Sequence, residues 1–236
     1  MKYKLSVLVA AALACQSASA GTVVLFSDPS GLSAEAEFTM LTPTTLEVRL
    51  KNTSTGAPLG FDSSDQILTG VSWDFGDVGF NGDAMITGGA VATGPGSASV
   101  NFSVANVGAN ADVSGEYGYG NMDGTGALTN FVSANAAVGI PFGGANLDGP
   151  VNVDGPQGGL ISSAFSLPLG GLGAIEDEII ATLTLSEPVA QADVLGDLGL
   201  ARVEFGSDAF FITNPEPASV ALLGLGGLTL MSTRRR

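Results

Sequence analysis

The sequence predicts an all-β chain: an antiparallel β-sandwich, jelly-roll-like, with long Gly/Asn/Asp-rich loops and a C-terminal hydrophobic helix. Three observations lead there. Glycine supplies 34 of the 236 residues, roughly double the usual ~7%, and it is spread too evenly for long helices. Apolar and polar residues alternate with a period of two in several short runs, which puts one face of a strand on a core and the other in water. Strands with two unlike faces favour an antiparallel sandwich over a parallel α/β sheet, whose strands are apolar on both sides.

The first run places Ala34, Ala36, Phe38 and Met40 on one face, with Glu35, Glu37 and Thr39 on the other. Thr45 to Lys51 repeats the pattern, with Leu46, Val48 and Leu50 opposing Glu47, Arg49 and Lys51. Thr42-Pro43-Thr44 reads as the turn between them. A three-residue loop pairs Leu41 with Thr45, then Met40 with Leu46, Phe38 with Val48 and Ala36 with Leu50; Glu37 then meets Arg49, and Glu35 meets Lys51. Further along, Val71, Trp73 and Phe75 oppose Ser72 and Asp74, and Val100, Phe102 and Val104 oppose Ser99, Asn101 and Ser103. Near the end, Ile179, Ala181, Leu183 and Leu185 alternate with Ile180, Thr182 and Thr184, and Val203 and Phe205 with Arg202 and Glu204. Residues 108–171 are rich in Gly, Asn, Asp and Pro and read as long loops, with one helix or strand around 128–138. Loops of such length in a compact domain carry function or are mobile, so a binding face is expected there.

Both ends read as processing signals. Lys2 and Lys4, an apolar run from Leu5 to Ala14, and Ala18-Ser19-Ala20 before Gly21 make the three parts of a secretory signal peptide, with cleavage expected after Ala20. The run is too short to span a bilayer, which takes roughly 20 residues. Cys15 opens a competing reading as a lipidation site, but Ala12 stands where the lipoprotein pattern prefers a larger aliphatic residue. With an ordinary signal the only cysteine is removed, and with it thiol, disulfide and Cys-metal chemistry.

At the other end, Asn214-Pro215-Glu216-Pro217 is followed by a mostly apolar stretch from Ala218 to Thr233 and then Arg234-Arg235-Arg236. As a helix that stretch rises about 24 Å, a little short of the ~30 Å hydrocarbon core. Lys2, Lys4 and the terminal arginines should stay cytoplasmic by the positive-inside rule, so the chain between them is the exported part. A soluble C-terminal core helix is the competing reading, and a triple-arginine end just after an uncharged stretch fits it poorly. In order, spacing and position the tail resembles the PEP-CTERM sorting signal of exosortase-dependent surface proteins of Gram-negative bacteria. The resemblance covers about 23 residues at the end of the chain. It implies Sec export, a precursor tethered transiently in the inner membrane, processing near Pro215, Glu216 and Pro217 by an exosortase-type enzyme, and a setting of exopolysaccharide production. The chain then divides into a signal peptide (1–20), an exported domain (21–213) and a sorting signal (214–236).

Charge narrows the partners. Residues 21–217 hold three of the eight basic residues, Arg49, Lys51 and Arg202, and all 23 acidic ones, a formal net charge of −20. Such a body repels phosphate backbones and anionic headgroups, which argues against nucleic acid as a partner.

The chain has no histidine, so His-dependent catalysis and zinc sites on His/Cys ligands are excluded. Glu176-Asp177-Glu178 offers carboxylates for a polysaccharide hydrolase, which needs two of them across a cleft, but neighbours on a strand alternate faces. Asn-x-Asp-Gly occurs at 121–124, 146–149 and 152–155. Calcium is conceivable there, yet Pro150 takes the first ligand position of the third copy and no glutamate closes it, so plain Asp-Gly turns are preferred and no cofactor is expected. Tyr117 and Tyr119 stand among polar residues and glycines and could stack on sugar rings; the alternative is a strand edge with half-buried tyrosines. Asn52-Thr53-Ser54 and Asn101-Phe102-Ser103 match a glycosylation acceptor, a weak pattern. The expectation is a non-catalytic surface or extracellular-matrix protein, with a carbohydrate-binding module at Tyr117 and Tyr119 as the alternative and a carboxylate-dependent hydrolase behind it.

Overall fold

A computed structural model describes residues 20–54, 66–75, 84–100, 106–120, 128, 130–135, 145–147, 158–162, 173–195, 200–206 and 210–214. The strands in these segments are β1 (Thr22–Ser27), β2 (Ser33–Thr42), β3 (Thr45–Asn52), β4 (Leu68–Trp73), β5 (Ile86–Thr93), β6 (Ser99–Val100), β7 (Gly118–Gly120), β8 (Asn130–Ser133), β9 (Ala145–Asn146), β10 (Leu160–Ile161), β11 (Ala174–Glu176), β12 (Glu178–Leu185), β13 (Ala201–Phe205) and β14 (Phe210–Thr213). They form two sheets, and the all-β, antiparallel, sandwich-like architecture is as expected. The first sheet runs β1-β2-β3-β12-β5. The second is built around β4, which pairs with β13 on one side and with β8 and β10 on the other. β14 extends it beyond β13, β7 and β9 beyond β8, and β11 and β6 beyond β10; β10 and β11 run parallel.

The β2–β3 register is the expected one: Ala36 faces Leu50, Phe38 faces Val48, Met40 faces Leu46, Glu37 faces Arg49 and Glu35 faces Lys51. The turn differs. Thr42, not Leu41, pairs with Thr45, so the loop is Pro43-Thr44 alone and Leu41 is an extra residue, 47% exposed. Pro43 supplies the fixed φ that suits the start of a tight turn, and the bulge absorbs the odd residue without moving the apolar row off the core. β12 lies against β3 with Ile179, Ala181, Leu183 and Leu185 buried and Thr182 and Thr184 exposed, as its alternation requires. β1 is an edge strand that the alternation argument passed over. It is turned back onto β2 at Asp28, whose carboxylate accepts from the Ser30 amide at 2.9 Å, with Gly31 at φ 94°.

The second sheet overturns the expectation of one wet face per sheet. Every residue of β4, β8 and β13 is buried, including Ser72, Ser133, Arg202 and Glu204. Residues 108–171 contribute β8 to this sheet where one helix or strand was expected around 128–138, and β7, β9 and β10 where long loops were expected. At β6 the faces are reversed: Ser99 is buried, accepting from the Val107 amide at 2.7 Å, and Val100 is partly exposed; Phe102 and Val104 lie outside the described residues. The C-terminal helix expected over 218–233 lies outside them too.

The sheets meet through aromatic rings. Phe38 of the first sheet packs edge-on against Trp73 of the second at 5.3 Å between centroids, and Trp73 against Phe75 at 5.9 Å. Full burial of one such side chain contributes about 1.5–3 kcal/mol. Asn52 and Asp177 form the corner where the chain passes between sheets. Buried Asn52 donates to the Leu160 carbonyl at 2.9 Å and accepts from the Ser54 amide at 3.0 Å, and its own amide donates to the Asp177 carbonyl at 2.9 Å. Asp177 links β11 of one sheet to β12 of the other at φ 63°.

Candidate functional site

The two tyrosines, read either as a sugar-binding surface or as half-buried residues of a strand edge, are tied into the protein. Tyr117 follows a 3-10 turn at Ser114–Glu116, its side chain is fully buried, and its hydroxyl donates to the Gly158 carbonyl at 2.7 Å. Burial first, and then the charge of Glu116, push this phenol far above its ordinary range. Tyr119 on β7 is partly buried against the core and donates to the Thr87 carbonyl at 3.0 Å. A stacking platform needs open ring faces, so Tyr117 is corrected from a glycan contact to a core residue, while Tyr119 is a half-buried strand residue.

The carboxylate triplet is also dispersed. Glu176 ends β11, Asp177 is the left-handed corner, and Glu178 starts β12 with its carboxylate 3.9 Å from Arg49 Nε. That contact is longer than a hydrogen bond, and the Arg49 Nε–H has no hydrogen-bond partner. The triplet therefore straddles two sheets. Of the Asn-x-Asp-Gly copies only Asn146 and Leu147 lie within the described residues, among which no group of three or more His, Cys, Asp or Glu could hold a metal. Asn52 of the first glycosylation triplet is 1% exposed and bonded at both ends of its amide, so its role is the corner; Asn101 lies outside the described residues.

A concentration of buried polarity that the alternation argument missed lies on the face of the second sheet opposite Trp73. Successive residues of β13 point to opposite faces. Ala201, Val203 and Phe205 join the core between the sheets, and Arg202 and Glu204 share the other face with Ser72, Phe131, Ser133 and Phe211. Arg202 Nε donates to Ser72 Oγ at 3.2 Å, and its guanidinium sits 4.0 Å from the centre of the Phe211 ring. Glu204 is 2% exposed; it accepts from Asn135 Nδ2 at 3.3 Å and Ser133 Oγ at 3.4 Å. Burial raises its carboxyl to about 7, against the lowering pull of Asn135, Thr69, Ser133 and Arg202. The cluster thus holds a carboxyl that titrates near neutrality beside a fixed cation, screened from solvent. One sequence signal could have found it: Arg202 is among three basic residues in 21–217, and a scarce cation in an acidic body merits a search for its partner.

The first and last described strands are fastened. Thr22 opens β1, and its hydroxyl accepts from Gln191 Nε2 at 3.1 Å. The same carboxamide donates to the Phe38 carbonyl at 2.8 Å and accepts from the Met40 amide at 2.7 Å, so it continues the ladder on β2 beyond the start of β1. At the far end Asn214 donates its backbone amide to the Ala201 carbonyl at 3.1 Å and accepts the Ala201 amide on Oδ1 at 2.9 Å, closing the β13–β14 hairpin. Of the expected processing residues, Gly21 is partly exposed and Ala20 exposed, while Ala18, Pro215, Glu216, Pro217, Arg234, Arg235 and Arg236 lie outside the described residues. Comparison with protein-family models, with curated proteins and with solved structures gave no match to this chain.

Proposed function

We propose that this chain is a non-catalytic exported protein of a Gram-negative cell surface or extracellular matrix, sorted through its C-terminal signal and associated with exopolysaccharide. What supports the reading is the pairing beside the two expected cleavage sites. Among the described residues the first strand begins at Thr22, one residue after Gly21, and Asn214, next to Pro215, closes the last hairpin. A signal peptidase acting after Ala20 and an exosortase-type enzyme acting at Pro215-Glu216-Pro217 would each cut beside the body without opening it. In this reading the Sec machinery exports the chain, the apolar tail tethers the precursor in the inner membrane, and the −20 body works by display rather than by chemistry.

The test is the mass of the mature protein from its native host, together with a variant in which Pro215, Glu216 and Pro217 are all alanine. The mature form should begin at Gly21 and lack Arg234 to Arg236, and the variant should accumulate at the inner membrane with its body still folded. Unchanged surface display of the variant, or a lipid on Cys15, would refute the reading.

A further inference from the structure

We infer that Glu37 and Thr39 form a socket for the α-ammonium group that Gly21 acquires when the signal peptide is removed. The inference rests on the proposed cleavage after Ala20.

Register supplies the geometry. Thr22 faces Phe38 and Val23 faces Glu37, so one further step sets Gly21 opposite Thr39, on the face that Val23 and Glu37 share. A Cβ on residue 21 would stand 2.7 Å from Glu37 Oε1, and closer still to Thr39 Oγ1. A side chain there would push these two side-chain oxygens aside. Standard backbone geometry puts the residue 21 nitrogen about 2.5 Å from that Cβ position, hence within about 5 Å of the Glu37 carboxylate. In the precursor this nitrogen is a neutral amide; after cleavage it is an ammonium with three donors facing a carboxylate and a hydroxyl. Opposite charges within ~4–6 Å favour each other's charged form.

Two neighbouring contacts leave Glu37 available. Arg49, which the register sets opposite Glu37, sends its guanidinium toward Glu178 instead. Gln191 holds Thr22 and the exposed ladder groups of Phe38 and Met40, and so fixes the start of β1. Cleavage would thus add one ionic contact at the residue just before the edge strand, where strands fray first.

The experiment uses the processed protein exported from the full-length gene. If it starts at Gly21, its amines are that α-amine and Lys51, Lys2 and Lys4 having left with the signal. Competitive acetylation across pH, read by mass spectrometry, then gives the titration of each. The Gly21 amine should titrate at least about 0.5 unit above the ordinary ~7.7–8.0 of an α-amine and return to that range in Glu37→Gln. Blocking it by acetylation should lower the thermal midpoint by about 1–3 °C, and this loss should vanish in Glu37→Gln. Emission from Trp73, the single tryptophan, reports whether each form is folded. An α-amine with ordinary titration, indifferent to Glu37→Gln, overturns the socket and leaves the cleavage reading standing. A mature chain that starts elsewhere overturns both.

Discussion

Glu204 is a carboxyl that the fold holds mostly protonated up to about neutral pH, because burial outweighs the donors of Asn135, Thr69 and Ser133 and the charge of Arg202. Its value of about 7 stands above the 4.5 of an unperturbed glutamate, so the folded state binds its proton more tightly than the unfolded state does. The contribution to stability is therefore fully present below pH 4.5, is lost as pH rises toward 7, and is level above that. Glu204→Gln should remove this slope. The span of the shift, in which the pull of Arg202 is already counted, corresponds to at most about 3 kcal/mol. Urea unfolding between pH 4 and 8, followed by Trp73 emission, measures it; parallel profiles for the two proteins would count against a buried, raised carboxyl. The sequence flags Arg202 as a scarce cation but gives no sign that Glu204 is buried beside it. Alternation says that Arg202 and Glu204 share a face, but a covered polar face and a wet one have the same period.

The β2–β3 hairpin shows the opposite case at the scale of elements. Its register could be read because two independent rows, one apolar and one charged, agree on a single pairing, and a slip of one residue would break both. The partner of Arg49 could not be read, since Glu178 comes from a strand distant in sequence. Nor could the bulge at Leu41, an apolar residue at a position on the polar face of the alternation that stands outside the core. Phe38 is fully buried against Trp73, so Phe38→Ala should cost about 3–5 kcal/mol. Arg49→Ala should cost about 1 kcal/mol or less, because its ion pair is long and partly solvated. Equal losses in denaturant titrations of the two variants would contradict the assignment. A second element-scale test lies at the corner: Asp177 has φ 63°, where asparagine is at home and a β-branched residue is strained. Asp177→Asn should stay close to the parent, and Asp177→Val should lose about 1–2 kcal/mol. If valine were tolerated as well as asparagine, the left-handed corner would be misassigned.

At the scale of the whole molecule, one hydrophobic core runs between two sheets, and a large excess of negative charge surrounds it. Of the first sheet, β2, β3 and β12 could be read because their outer face is wet and they alternate, while β1 and β5 were passed over. Of the second, alternation picked out β4 and β13 but not that they are covered on both sides, because residues on the outer face of that sheet, such as Gly70, Ser72 and Ser133, are small or polar. With −20 on residues 21–217, self-repulsion opposes the compact state, and screening relieves it over a Debye length of about 10 Å at 0.1 M salt. Thermal stability at pH 7 should therefore rise with sodium chloride and level off as screening becomes complete. Calcium is a sharper probe. A built site would add stability that saturates at micromolar to millimolar calcium, growing with the logarithm of concentration above its dissociation constant. Diffuse counter-ion binding would instead follow ionic strength, with calcium ahead of sodium only by its valence. The Asp-Gly turns that could supply oxygens lie mostly outside the described residues, and those within offer no group of three acids. The expected result is a gradual, non-saturating rise that magnesium reproduces. A saturable rise in melting temperature specific to calcium, and reversed by a chelator at constant ionic strength, would show that the turns at 121–124, 146–149 or 152–155 assemble a real site.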